Sequence, residues 1–356
     1  MPALNVALIG CGFIGRFHSY AIRSLVRRGL VEARYAAVCD VDGARARSFA
    51  EIADVAWATT DPSEVIDAPE IDAVYICVPT AGHRELALRA ADRGKHIFCE
   101  KPLATNLADV KEMVGAVRTA GVKAAVGLIL RHSPILTVLK SLAEDPALGH
   151  PMVIVLRDDQ FFPIQGHYAS DWRKDRRQVG AGTLLEHSIH DVDILRWFGG
   201  EVSTVRGSVR NFAGHEGVED LALAHLEFRD GGEAELVSVW HNVLGRPSTR
   251  RLELFFENGL FWIDNDYLGP IHYQTHGNAA ETIPEPEVRR RYLTLAGLAD
   301  PVFDEVITSL EDYAFLTAVA QGKDPFPDFP LALEAHRLVD AIYRSAASGG
   351  EAVAPA

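Results

Sequence analysis

Two places in this chain hold residue types that could move a proton. The first is the stretch from Gly180 to Asp193, where His190 follows Glu186 by four residues and precedes Asp193 by three, with Trp197 beyond. Gly180 and Gly182 open the stretch and Gly199-Gly200 closes it, so Thr183 to Phe198 reads as one helix. On one helix Glu186, His190, Asp193 and Trp197 share a face. A core-facing stripe is normally apolar; this one carries an imidazole between two carboxylates, flanked by Ile189 and Ile194. A general base needs such a setting, with its ring held by an acid and partly desolvated. A solvated polar face is the alternative. His187 and His190 with Glu186 match no common helical zinc motif, and no metal is expected.

The second place is Glu100-Lys101-Pro102. Pro102 disfavours helix at Lys101 and puts it on a stiff extended turn. A lysine there, partly desolvated beside a cofactor, suits a hydrogen bond to a substrate hydroxyl and aids its deprotonation. A surface lysine paired with Glu100 is the alternative.

The elements that would position these residues begin at the N-terminus. Leu4 to Ile9 is a short apolar strand that runs into Gly10-Cys11-Gly12-Phe13-Ile14-Gly15, after which Phe17, Ala21, Leu25 and Val26 are apolar at helix spacing. A G-x-G-x-x-G between strand and helix is the context a dinucleotide loop requires. The first glycine permits the turn, the second lets the pyrophosphate approach, and the third packs helix on strand. A second strand, Arg34 to Cys39, ends in Asp40, whose carboxylate can bind the adenosine ribose and would repel a 2′-phosphate. NAD is therefore expected over NADP, with Arg45 and Arg47 the residues that could serve NADP. Ile71–Val78, His96–Cys99 and Val122–Leu130 read as strands and Glu85–Arg93 and Leu107–Thr119 as helices, the latter capped by Thr105 or Asn106. The alternation implies a doubly wound parallel sheet with ligands past its carboxyl strand ends. Two of those ends carry Val78-Pro79-Thr80 with His83, and Glu100-Lys101-Pro102.

Beyond Leu130, Pro134–Asp145 reads as a linking helix and Pro151–Leu156 as a strand. From Asp158 to Arg177 a long polar and aromatic loop carries Gln160, His167, Tyr168, Trp172 and Arg173, and loops of this length are usually functional. Val202 to Tyr273 reads as hairpins. Ala222–Phe228 turns into Glu233–His241, and Leu252–Phe256 turns at Asn258-Gly259 into Leu260–Ile263, where Asn-Gly is a two-residue hairpin signal. Pro301–Gln321 and Leu331–Ser348 read as amphipathic helices, and the tail Gly349–Ala356 as unstructured.

At 356 residues the chain is long enough for two domains, and a net charge of −14 argues against a nucleic-acid or anionic-membrane partner. Met1 to Ile9 lacks a basic leader and no apolar run approaches the ~18 residues a span needs, so a cytoplasmic protein is expected. The four cysteines, Cys11, Cys39, Cys77 and Cys99, form no C-x-x-C pair and read as reduced thiols.

In this order the glycine loop, the strand ending in Asp40, Val78-Pro79-Thr80 with His83, Glu100-Lys101-Pro102 and Gly182 to Asp193 resemble the glucose–fructose oxidoreductase, inositol dehydrogenase and rhizopine-catabolism family over essentially the whole chain. The resemblance implies a Rossmann domain over residues 1–128. It implies an α/β domain with a large open, mostly antiparallel sheet over 129–356, its last helix packing back toward the first domain. It implies that Lys101 and His190 act on a substrate hydroxyl, and that Arg131, Trp172 and Arg173 lie near the nicotinamide. Ile129 stands where members often carry Asn, and Glu186 where Asp is common, so the acid orients His190 or binds a sugar hydroxyl. Expected cofactor contacts are Gly10, Gly12, Phe13, Ile14, Gly15, Asp40, Val78, Pro79, Thr80, His83, Glu100 and Lys101; expected substrate contacts are Lys101, Gln160, Tyr168, Glu186 and His190. The resemblance also implies a homodimer or homotetramer through the second sheet. The resulting expectation is an NAD-dependent dehydrogenase acting on a secondary hydroxyl of a sugar, sugar derivative or inositol. A redox-neutral NAD-dependent glycosidase and a non-catalytic NAD- and sugar-sensing protein are the alternatives on this fold.

Overall fold

The computed structural model describes residues 3–356. The reading of a missing leader at Met1 and Pro2 lies outside the described residues. The chain divides into two compact units. One runs to Leu128 and includes Pro301–Leu333; the other is Ile129–Asp300 with Glu334–Ala356.

The first unit alternates strand and helix as β1 (Leu4–Ile9), α1 (Phe13–Arg27), β2 (Ala33–Cys39), α2 (Gly43–Ala53), β3 (Trp57–Thr59), α3 (Pro62–Ile66), β4 (Ala73–Ile76), α4 (His83–Asp92), β5 (His96–Cys99), α5 (Leu107–Ala120) and β6 (Ala124–Val126). The sheet order is β3-β2-β1-β4-β5-β6, parallel throughout. Strand order reverses between β1 and β4, which puts the ligand crevice at the loops following those two strands. Val6 to Ile9, Ala73 to Ile76 and Ile97 to Cys99 are buried, as strands covered on both faces must be. Asn106 caps α5, its side-chain oxygen accepting the Asp109 N–H at 3.0 Å. The expected strand Val122–Leu130 is shorter. It leaves the sheet after Val126, where Gly127 faces the Glu100 carboxylate so closely that a Cβ would stand 2.8 Å from Oε1. A one-turn 3-10 helix over Ile129–His132 follows.

In the second unit α6 (Pro134–Ala143) leads to β7 (Pro151–Phe161), then α7 (Arg176–Val179), α8 (Thr183–Glu186) and α9 (Ile189–Gly199). Seven strands follow: β8 (Val202–Arg210), β9 (Leu221–Phe228), β10 (Glu233–His241), β11 (Thr249–Phe256), β12 (Gly259–Ile263), β13 (Ile271–Thr275) and β14 (Glu281–Ile283). α10 (Glu285–Ala296) closes this run; α11 (Asp300–Val306) and α12 (Leu310–Ala320) fall almost wholly in the first unit, and α13 (Phe329–Ala347) begins in the first and continues in the second. The eight-stranded sheet runs β14-β13-β12-β11-β7-β10-β9-β8 and is antiparallel except for β10 on β7. Its strands alternate: Ala222, Ala224, Leu226 and Phe228 of β9 point into the core.

Both expected hairpins form, but Asn258-Gly259 is not a two-residue turn. Phe255 pairs with Leu260, so four residues make the loop, and neither Asn258 nor Gly259 has positive φ. The Asn258 N–H donates instead to the Leu148 carbonyl at 2.9 Å. The expected loop from Asp158 begins too early. β7 continues to Phe161, with Asp158 opposite both Ser238 and Arg250, because paired cations make buried aspartates tolerable on a central strand. Pro301–Gln321 is two helices rather than one. Ser309 ends the first by donating from N and Oγ to the Val306 carbonyl, a local bond that competes with the helix. The tail is structured: Val353 and Val205 exchange two backbone hydrogen bonds of 2.9 Å. No described helix is long and apolar enough to cross a membrane.

Candidate active site

In the first unit the glycine loop has the stereochemistry its sequence demands. Gly10 has φ +104°, and a Cβ there would lie 2.5 Å from the Cys77 carbonyl oxygen. A Cβ on Gly15 would lie 2.1 Å from the Gly10 carbonyl oxygen, whereas one on Gly12 meets nothing within 4 Å. Gly10 and Gly15 therefore serve the fold, and the open side of Gly12 is free for a ligand. The amides opening α1 face no side-chain cap and no acidic residue of the first turn, the arrangement that suits a pyrophosphate. Asp40 is buried at the end of β2, accepting the Cys11 N–H on Oδ2 at 2.8 Å and the Asp42 N–H on Oδ1 at 2.9 Å. Arg45 stands 3.6 Å from its Oδ1; Arg47 makes no contact with it. These roles predict that Gly12→Ala keeps its melting temperature within ~2 °C yet binds NADH weakly. Gly15→Ala should melt several degrees lower, since a ~2 kcal/mol loss shifts a chain of this size by that order. Thermal melts and NADH fluorescence titration read both.

The two rich strand ends are tied to each other. His83 is buried with Nδ1 2.9 Å from the Pro102 carbonyl oxygen and Nε2 2.9 Å from that of Val78. Burial lowers its pKa, so the ring is neutral and donates to one of the two. Thr80 has a buried hydroxyl with no hydrogen-bond partner, a donor available to a ligand. The Lys101-Pro102 peptide bond is cis. Glu100 is also buried: Oε1 lies 2.9 Å from His18 Nε2 on α1, and Oε2 accepts the Lys101 N–H at 3.0 Å. His18 Nδ1 in turn lies 2.8 Å from Asp312 Oδ1 on α12. His18, Glu311 and Asp312 have the spacing of a metal-binding group. With both ring nitrogens donating to carboxylates, however, no lone pair is left for an ion.

In the second unit the expected single helix is broken. α8 ends at Glu186 and α9 starts at Ile189, with the Ser188 N–H reaching back five residues to the Thr183 carbonyl at 2.8 Å. Helix spacing therefore does not place Glu186, His190 and Asp193. Glu186 accepts from Arg173 Nε at 2.7 Å, and that guanidinium lies 4.6 Å over the Trp172 ring and 5.9 Å from the Tyr168 centroid. Tyr168, Trp172, Arg173 and Glu186 thus come together, while Gln160 sits on β7 with a buried, unpartnered Oε1. Asp193 takes a bidentate pair from Arg131, at 2.6 and 2.8 Å, and Arg131 also lies 4.6 Å over Trp197. His190 is buried in the first turn of α9.

His187 and Asp191, on either side of His190 in sequence, enter a charge cluster. His187 Nε2 is 2.7 Å from Asp158 Oδ2 on β7. Arg250 on β11 reaches Asp158 at 3.2 Å, Asp191 at 2.5 Å, and Asp266. Burial would raise the Asp158 carboxyl, but Arg250 and then His187 hold it below the usual range. Burial pushes Asp191 up to about 6, Arg250 opposing and the Asp158 charge adding. This cluster, rather than a continuous helix, pins both sides of the break to the sheet.

Residues 4–128 match the family model described as "Oxidoreductase family, NAD-binding Rossmann fold", and residues 136–262 match "GFO/IDH/MocA C-terminal domain". The chain is 33% identical over 269 residues to the myo-inositol 2-dehydrogenase of Thermotoga maritima, covering 74% of this chain and 75% of that one. It belongs to the GFO/IDH/MocA family. It is also 31% identical to the scyllo-inositol 2-dehydrogenase (NAD(+)) of Bacillus subtilis, over 80% of this chain and 81% of that protein. Among solved structures, an oxidoreductase domain protein from Kribbella flavida superposes with TM-score 0.88 at 25% identity, covering 100% of both chains. For this GFO/IDH/MocA protein, the open face of Gly12, the uncapped amides of α1 and the carboxylate of Asp40 fit NAD. Sequence reading did not single out His18, Asp312, Asp158, Asp191 or Arg250. Two of them had a signal. His18 falls on the core face of α1 with Ala21, Ile22 and Leu25, and Arg250 alternates with the buried Leu252 and Leu254.

Proposed function

We propose that the protein is an NAD-dependent dehydrogenase acting on a secondary hydroxyl of a sugar, sugar derivative or inositol. The observation that carries this reading is its likeness, over 80% of the chain, to a protein named for NAD-dependent inositol oxidation. The grouping of Tyr168, Trp172, Arg173 and Glu186 supports it, since aromatic faces beside charged hydrogen-bonding groups suit a polyol. NAD, when bound, supplies the hydride acceptor. His190 accepts the hydroxyl proton, and Lys101 hydrogen-bonds the same oxygen and stabilises its developing negative charge. Hydride leaves the carbinol carbon and the product is a ketone. The Glu186 carboxylate, already held by Arg173, is assigned to a substrate hydroxyl rather than to His190. Gly10, Gly12, Phe13, Ile14, Gly15, Asp40, Val78, Pro79 and Thr80 are assigned to the cofactor.

We place the enzyme in the cytoplasm, in keeping with four buried free thiols. We also assign it a homodimer or homotetramer through the second sheet, whose outward face carries Leu223, 42% exposed, beside Val237 and Val239. A monomer in sedimentation at micromolar concentration would exclude that assembly. The test of function is NADH absorbance on incubating protein and NAD with inositols, pentoses, hexoses, sugar acids and anhydrosugars. Growth with one class is expected. Silence across the panel, with NADH shown to bind, would sink the dehydrogenase reading.

A further inference from the structure

We propose that His18 is a positioning residue for Lys101, acting through the carboxylate of Glu100. The inference rests on the reading that Lys101 is catalytic. Both carboxylate oxygens of Glu100 are occupied. One oxygen faces His18 Nε2 at 2.9 Å and the other accepts the Lys101 N–H at 3.0 Å. Gly127 closes the carboxylate's remaining side, since even a methyl there would come within 2.8 Å of Oε1. The carboxylate therefore has one orientation, and His18 sets it. His18 is itself fixed from behind by Asp312 at 2.8 Å and packed edge-on to Phe98 at 4.8 Å and against Tyr75 at 5.5 Å.

The line from α12 through α1 to the turn thus ends on the backbone of Lys101. On the far side of the same turn His83 holds the Pro102 carbonyl. The turn around Lys101 is thus held from two sides, by the Glu100 carboxylate that His18 orients and by His83 on the Pro102 carbonyl. Burial alone would strip the proton from His18, but the Asp312 carboxylate, and after it Glu100, keeps the ring charged well above its ordinary range. The titratable groups facing it are Glu100 after β5, Glu311 and Asp312 on α12, and Tyr75 on β4. Burial, above all, pushes the Glu311 carboxyl well above its ordinary range.

A ring that merely filled the core would leave Lys101 unmoved when replaced by a residue that packs. His18→Gln should instead release the Lys101 amide, whose hydrogen-exchange protection falls ~10-fold or more, while amides of β1 and β2 keep theirs. With the sugar or polyol that gives the fastest NADH formation, kcat should fall roughly 10- to 100-fold, the size that misplacing a catalytic group costs. NADH affinity should stay within ~3-fold. Combined with Lys101→Ala, His18→Gln should cost almost nothing further, because the group it positions is already gone. Unchanged Lys101 protection, an NADH affinity that falls with kcat, or losses that multiply in the double variant would each overturn the proposal. Near-normal turnover in Lys101→Ala alone would instead show that Lys101 is not catalytic, a result read before the pair is made. Should His18→Gln fail to fold, Asp312→Asn keeps an acceptor for Nδ1 but removes its charge. Its activity should then be lost on the alkaline side at a lower pH than in the wild type, and an unmoved limb would overturn the proposal.

Discussion

Lys101→Ala is expected to lower kcat about 10²- to 10⁴-fold, the range that removing a positioned proton-transfer or charge-stabilising group spans. NADH affinity should change by less than ~3-fold. The split follows from the architecture of the first unit. Gly10, Gly12, Gly15 and Asp40, the residues assigned to the cofactor, lie at the β1–α1 loop, on α1 and at the end of β2, and Lys101 follows β5 on the other side of the strand reversal. Losing its side chain leaves those residues in place, because the turn is held by backbone contacts: the Lys101 N–H on Glu100 and the Pro102 carbonyl on His83. Lys101→Arg is a sharper probe. It keeps the charge but substitutes a planar fork for a point donor, and should recover only part of the loss. Stopped-flow measurement of NADH formation, alongside NADH fluorescence titration, reads both quantities. Turnover within ~3-fold of wild type in Lys101→Ala would remove Lys101 from the mechanism and leave His190 to carry proton transfer alone.

What could be read from sequence divides along a physical line. The glycine loop was legible because its constraints are local: a positive φ at Gly10, a blocked Cβ at Gly15. Most strands were legible from period and from continuous apolar runs, within a residue or two at β1, β5 and β9, whereas the three-residue β3 and β14 are too short to carry a pattern and β7 runs five residues beyond its apolar stretch. The helix break at His187-Ser188 was not legible, because nothing within the segment prefers it. It depends on Asp158, which lies on a strand 29 positions earlier and draws His187 to it. Asp158 and Asp159 read as loop for the related reason that carboxylates seldom enter central strands unpaired. Their partners, Arg250 and Arg246, come from later in the chain. Local pattern cannot anticipate pairing across the sheet. The same holds for Glu100, whose pairing with His18 on α1 no local pattern around Lys101 announces.

Arg250→Met should destabilise the folded protein by about 3–5 kcal/mol, the cost of removing one partner from a buried charge cluster. Arg250 is 8% exposed and faces Asp158, Asp191 and Asp266, and burial is outweighed by those three charges in keeping it protonated. Without it, Asp158 and Asp191 confront each other with only His187 as counter-ion. The pH dependence of stability gives the sign. Asp191 has a folded pKa of about 6 against an ordinary 3.8, so the folded state binds its proton more tightly than the unfolded chain. Its contribution to stability therefore falls as pH rises from about 4 to about 6 and stays low above that. Asp158 is shifted the opposite way, so its contribution is present above the unfolded value and is lost only as pH falls below it. In Arg250→Met both acids lose their main cation and both titrate upward. The variant should then be closest to wild type near pH 4 to 5 and farthest from it at pH 7 to 8, measured by urea unfolding across that range. Neutralising the acids as well, in Arg250→Met/Asp158→Asn/Asp191→Asn, should restore much of the stability. It should not restore turnover, because His187 would have lost the anion that seats it and with it the break that sets His190. Full recovery of turnover in that triple variant would show that the cluster serves only the stability of the second unit.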